Sequence, residues 1–295
     1  MSVSTTTINV FEYMYNQYST GFLSALNSDV STALSAAMPP LSAALVIWVI
    51  ILGYLMMTGS LDLRYGISKV STMAIVVGII ASTPLYDSYV QSLFMTAIPD
   101  FIANTFSSGN TNNIPKSLDN VFNNFWIAGQ IIYKKANCMT CVLEPYVLGI
   151  EIELILVVFF VALAIVFAVY LIATTLTGLL VAVGPFLLIG YLFEYTKGIP
   201  DRWLGKLIGL AILLLLITAL LALFTGGMTD FLNDKVNATF ATDPWQTEII
   251  ILGEIAAYTA ITAFITIMLP GIAAYLGGGV DFNISGLVNP MNWFK

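Results

Sequence analysis

The sequence predicts an all-α polytopic membrane protein with about five transmembrane helices. Three observations carry this. Of its 295 residues, 58% are hydrophobic and 9% charged, against roughly 25% charged in soluble domains. The apolar runs reach about 20 residues or more, enough to cross a bilayer as helix. They are continuous, without the alternation over about 10 positions that a barrel strand needs.

Residues 1–38 contain no Lys or Arg, so they lack the basic start of a secretory signal. Phe11, Met14, Tyr15, Tyr18, Phe22, Leu26, Val30, Ala33 and Ala37 recur every three or four positions, the period of one helix face. This amphipathic helix either packs on the protein's own body or meets an interface or partner. Pro39 and Pro40 then open a first span, about Pro39 to Gly59, since proline fits a first helical turn. A second span, about Val70 to Tyr89, carries a kink at Pro84. The polar loop 60–69 joins them, so the pair covers 39–89.

Residues 90–146, mixed in polarity, are expected to be a loop region, with Ser107–Asn113 its clearest loop. The next apolar run, Tyr146 to Phe193, has 48 residues, more than twice one span. It is one very long helix, a helix with a re-entrant piece, or several spans; one crossing with an extra buried part is simplest. The remaining spans lie within 147–276, separated by a charged turn at 194–206 and an acidic loop at 225–248. A tail, 277–295, closes the chain.

Lys and Arg in short loops set orientation. Arg64 and Lys69 lie in the first loop, and Lys197, Arg202 and Lys206 in the turn at 194–206. Both therefore face the cytoplasm. The N-terminus and residues 90–146 and 225–248 then lie outside, and the C-terminus inside.

The chemistry is sparse. The formal net charge is −7 and there is no His. A nucleic-acid-binding basic surface is absent, as are the commonest metal ligand and general base. No catalytic, cofactor or metal residues emerge, and the expectation is a non-enzyme without cofactors. Cys138 and Cys141 form a C-x-x-C in the outer segment. A disulfide suits an oxidising compartment; free thiols, a redox pair and a zinc site are the other readings. Glu151, Glu153 and Glu254 are candidate membrane acids, in structural or conducting roles. Gly205-x-x-x-Gly209 and the small residues from Gly271 to Gly277 suit close helix packing. Aromatics of the outer segments are candidate partner anchors, among them Phe11, Tyr15, Phe22, Phe125 and Trp126.

Gly184-Pro185-Phe186 inside an apolar run, then Phe193, Glu194, Thr196 and Gly198, then Arg202-Trp203-Leu204 leading into another span, resembles the TrbL/VirB-six family. These are polytopic inner-membrane subunits of bacterial type IV secretion systems, including conjugation machines. Length, topology and the large central outer segment resemble that family across most of the chain. The resemblance implies a channel or assembly platform, and a homo-oligomeric ring in the lipid bilayer. Its partners would be scaffold and pilin subunits, the minor pilin of the stalk and ATPases. Its substrates would be single-stranded DNA with a bound relaxase, or effector proteins. Gly184 and Pro185 would shape the third run, and Trp203 would anchor the cytoplasmic turn; the interfacial preference of aromatics separately places Trp203 and Tyr195 at headgroup level. The alternative is a small-solute transporter or permease.

Overall fold

The structure, a computed structural model, describes residues 9–59, 63–106, 114–136, 144–238 and 245–277. Among these there is no strand. The helices in chain order are α1 (Val10–Tyr18), α2 (Ser24–Met57), α3 (Leu63–Ala81), α4 (Thr83–Tyr86), α5 (Ile98–Phe106), α6 (Ile114–Ala136), α7 (Glu144–Leu188), α8 (Gly198–Ala238) and α9 (Trp245–Leu276). By length and composition four of them could cross a membrane, or five if the bent pair Met73–Ala81 and Pro84–Ile102 is one span. Cys138, Cys141, the loop Ser107–Asn113 and the tail beyond Gly277 lie outside the described residues.

Most of the 48-residue apolar run is one helix, which ends at Leu188. α7 has 45 residues, about 68 Å at 1.5 Å per residue, and every other layer packs along it. α6 runs antiparallel to its first half. There Phe125 stacks on Phe159 at 3.8 Å between centroids, and Gly149 lies beside the Tyr133 ring. α1 continues through a π-turn at Ser19–Leu23 into α2, and this rod runs parallel to the second half. Phe11 packs on Phe167, Tyr15 on Tyr170, and Leu26 faces Gly178. Apart from Met14, which is 49% exposed, the helical stripe read from residues 11–37 thus faces the protein's own body, α7 above all.

Three boundaries differ from expectation. α2 starts at Ser24, and Pro39 and Pro40 lie inside it. Both prolines are exposed, while Ala37 and Leu41 face inward; the helix therefore loses two outer hydrogen bonds without losing its packed face. It ends at Gly59, whose φ of 70° is the left-handed cap that glycine accepts readily. Residues 90–136 are largely helical, because Leu118, Val121, Phe122, Phe125, Ala128 and Ile132 form one buried stripe on α6. α8 runs on to Ala238, through much of the expected acidic loop.

At Pro84 the chain does more than kink. The axis turns by 102° between Ala81 and Pro84, and the Leu85 and Tyr86 amides both bond back to Ser82. This break carries Tyr86 into the core.

α8 and α9 form an antiparallel pair in constant register. A Cβ on Gly205 would meet the Gly277 carbonyl at 3.0 Å, and one on Gly209 the Ala273 carbonyl at 3.4 Å. Further along, the Phe224 ring stacks on Tyr258. Gly205, Gly209, Ala273 and Gly277 thus bring two of the chain's own helices together, whereas a Cβ on Gly271 would meet nothing within 4 Å.

Candidate functional site

Proline in a helix has no N–H to give the carbonyl four residues before it. Pro185 in α7 therefore leaves the Val181 carbonyl without a helical donor. In an apolar surround such an oxygen costs several kcal/mol, about the price of an unpaired polar group in lipid. The structure supplies the missing donor from elsewhere. The Tyr86 hydroxyl donates to Val181 O at 2.5 Å, and Tyr86 is fully buried. One carbonyl earlier, Trp203 Nε1 donates to Leu180 O at 2.8 Å.

Gly184 makes both approaches possible. A Cβ there would overlap the Tyr86 hydroxyl and lie 2.7 Å from Trp203 Cζ2. The Gly-Pro pair thus has two linked roles: proline frees a carbonyl, and glycine clears the space through which two aromatic side chains reach the backbone. Val181, Leu188, Leu192 and Leu207 seal this joint with Val30, Leu34 and Leu41 of α2 and Ile80 of α3.

Below it the chain turns tightly. A 3-10 turn at Ile189–Leu192 follows α7. Thr196 Oγ1 donates to Gly190 O at 2.7 Å, and Tyr191 donates to Asp201 Oδ1 at 2.7 Å. Pro200 closes on Gly190 from the first turn of α8. Tyr195, Lys197 and Arg202 are exposed. Trp203 is not: at 6% exposure it corrects the expectation of a headgroup anchor. Its N–H is taken by a helix carbonyl, so the indole belongs to the interior.

The sequence-derived partner residues also change role. Phe11 and Phe125 are fully buried and cannot serve as external anchors; both stack on aromatics of α7. Tyr15, Phe22 and Trp126 are half-buried, and Tyr15 and Trp126 pack beside the core. Glu151 and Glu153 are exposed on α7, and Glu254 on α9. None of the three lies at the joint. Among the described residues no three His, Cys, Asp or Glu groups come together to hold a metal ion.

A second polar contact was not visible in the sequence. Asn9 gives α1 no side-chain cap; instead Asp119 of α6 caps it from 108 residues away. Its Oδ1 accepts from the Phe11 amide at 3.0 Å and its Oδ2 from the Glu12 amide at 2.7 Å. Burial pushes the Asp119 carboxyl above the usual carboxylate range. The Glu12, Phe11 and Val10 amides pull it back, and the Glu12 charge adds to the rise.

Comparison with known proteins covers most of this assembly. The model of the TrbL/VirB6 plasmid conjugal transfer protein family matches residues 45–272, from the middle of α2 through the joint to α9. The chain belongs to the TrbL/VirB6 family. It is 31% identical to Protein VirB6 of Agrobacterium fabrum over 271 residues, covering 91% of this chain and 90% of that one. It is 26% identical to the type IV secretion system protein VirB6 of Bartonella quintana over 265 residues, covering 89% and 78%. The Gly-Pro joint therefore lies within the part of the chain that the TrbL/VirB6 model matches, as do Tyr86, Asp119 and Trp203.

Proposed function

We propose that this chain is a multi-pass inner-membrane subunit of a type IV secretion system, acting as channel or assembly platform for DNA or protein substrates and for the pilus and its stalk. Family membership supports the system. The platform role rests chiefly on one observation: the segments outside the apolar runs are held rigidly. α1 and α6 are joined by the Asp119 cap and stacked on α7 through Phe11 and Phe125. A packed helical layer laid against the span α7 gives partners a preformed surface, which lowers the entropy cost of docking.

In this proposal several copies surround a central path, with pilin, minor pilin, scaffold and ATPase subunits as neighbours. The N-terminus and residues 90–146 face outward, the turn at 194–206 faces the cytoplasm, and Cys138 and Cys141 close a local disulfide. The aromatic surface that meets partners shifts from the buried rings to exposed ones, Tyr13 and Phe101. A permease of the inverted-repeat type uses broken helices in corresponding positions of two halves; among the described residues one bent pair is present.

The test is photocrosslinking from Tyr13 and Phe101 in native membranes of a secreting strain. Adducts to secretion subunits or to a second copy support the platform. A protein that crosslinks to neither, and is recovered only as a monomer, overturns it.

A further inference from the structure

α8 carries no charged residue from Leu207 through Thr229, between Lys206 and Asp230. These 23 residues span about 34 Å as helix, close to the roughly 30 Å of a hydrocarbon core. In the constant register of the α8–α9 pair, Met228 at the far end of this run stands opposite Glu254. Glu254 is the single Asp, Glu, Lys or Arg between Ile249 and Leu276. With the uncharged run of α8 set across the hydrocarbon core, Glu254 falls at the headgroup boundary opposite Lys206. Beside it is a cavity of about 300 Å³ lined by Gly227, Met228, Glu254, Ile255 and Tyr258. No described residue hydrogen-bonds or ion-pairs with the Glu254 carboxylate. Tyr258, one helical turn along, is half-exposed, and its ring is steadied by Phe224 at 5.6 Å.

We propose that this cavity binds the primary ammonium headgroup of a phospholipid of the ethanolamine type. A carboxylate at the lip accepts N–H hydrogen bonds from an ammonium, the charge-assisted kind that is strongest. The neighbouring Tyr258 face adds attraction for a cation. Met228 and Ile255 receive the aliphatic part, so an amphiphile fits better than a free amine. A quaternary head has no N–H to donate, and a head with net negative charge is repelled. The volume suits a headgroup and its first carbons, not a whole lipid. The site does not depend on the secretion role.

The full chain is reconstituted alone into vesicles of equal parts ethanolamine and glycerol phospholipid. It is then released, and its retained lipid is measured by native mass spectrometry. Wild type should retain ethanolamine lipid in excess over the glycerol lipid. Glu254→Gln should reduce that excess about tenfold, the step that about 1.4 kcal/mol produces. Gly227→Leu fills the cavity where open space surrounds the glycine, and should do the same with Glu254 intact. Choline lipid substituted for ethanolamine lipid should be enriched less, since its head has no N–H to donate, and enrichment equal to that of ethanolamine lipid overturns the ammonium site; Glu151→Gln, on α7 away from the cavity, should leave the excess unchanged. Equal retention in wild type and Glu254→Gln overturns the site. So does retention that survives Gly227→Leu. Enrichment of neither lipid, with Glu254 instead crosslinking to a lysine of a partner protein in native membranes, also overturns it.

Discussion

The Tyr86 hydroxyl serves as the hydrogen-bond donor that Pro185 removes from α7. It meets the Val181 carbonyl, four residues before the proline, from a segment 95 residues away in sequence. Two interruptions of helix, one at Pro84 and one at Pro185, are therefore complementary. The first turns the chain so that Tyr86 points at α7, and the second leaves an oxygen for it.

A double-mutant cycle tests that pairing. Tyr86→Phe keeps the ring and strands the carbonyl, so it should cost about 1–3 kcal/mol. Pro185→Ala returns a backbone N–H to the same oxygen. In that background Tyr86→Phe should cost clearly less, with a coupling of at least about 0.5 kcal/mol. Thermal unfolding of the four proteins in detergent gives the numbers. Equal costs in both backgrounds would show that the hydroxyl does not act through the orphaned carbonyl.

Gly184 should tolerate no side chain. Gly184→Ala drives a methyl into Tyr86 and Trp203, and overpacking of this kind costs about 1–3 kcal/mol. Gly198→Ala, at the start of α8 and with nothing within 4 Å of its Cβ, should be nearly neutral. Abundance in the membrane and unfolding temperature should fall for the first and hold for the second. Wild-type behaviour of Gly184→Ala would mean that the joint is looser than drawn.

The Asp119 cap sets a pH dependence with a definite sign. Its folded carboxyl lies above the usual range because it is buried. A group raised in the folded state contributes stability that is full below its unfolded value, about 3.9 for Asp. That contribution is lost as pH rises through the folded value. Asp119→Asn does not titrate and has one acceptor oxygen for two amides. The stability of wild type relative to Asp119→Asn should therefore fall as pH rises across that window. Exchange of the Phe11 and Glu12 amides should speed up in the variant. A difference that grows with pH would mean that the amide bonds outweigh burial; unchanged exchange contradicts the cap.

The sequence revealed some of these features and hid others for physical reasons. The apolar runs and the stripe from Phe11 to Ala37 were legible because burial repeats with the helical period. Gly184 and Pro185 stood out as breaks, and a proline in a helix already implies a carbonyl in need of a donor. Nothing local marked Tyr86 or Asp119 as partners, since their contacts lie 95 and 108 residues apart in sequence. Pro39 and Pro40 misled in the other direction. Proline reads as a helix start, yet on an exposed face a helix can carry it. Residues 114–136 looked like a loop because Asn, Asp and Lys dilute their hydropathy, although the buried stripe from Leu118 to Ile132 has the spacing of a helix.

The division between buried and exposed aromatics makes the last prediction. Phe125 is fully buried against Phe159, whereas Phe101 on α5 is 68% exposed. Phe125→Ser should lose about 3–5 kcal/mol, the usual cost of emptying a large aromatic site, and protein abundance should drop with it. Phe101→Ser removes no internal contact of that size, so abundance and insertion should stay at wild-type level. If α5 belongs to the surface that partners use, the same change should lower pilus assembly and substrate transfer. Immunoblots of membranes, paired with transfer assays on the same cells, separate the two effects. Full abundance for Phe125→Ser would contradict its place in the core. Unimpaired transfer by an abundant Phe101→Ser would remove that ring from the partner surface and leave it to lipid.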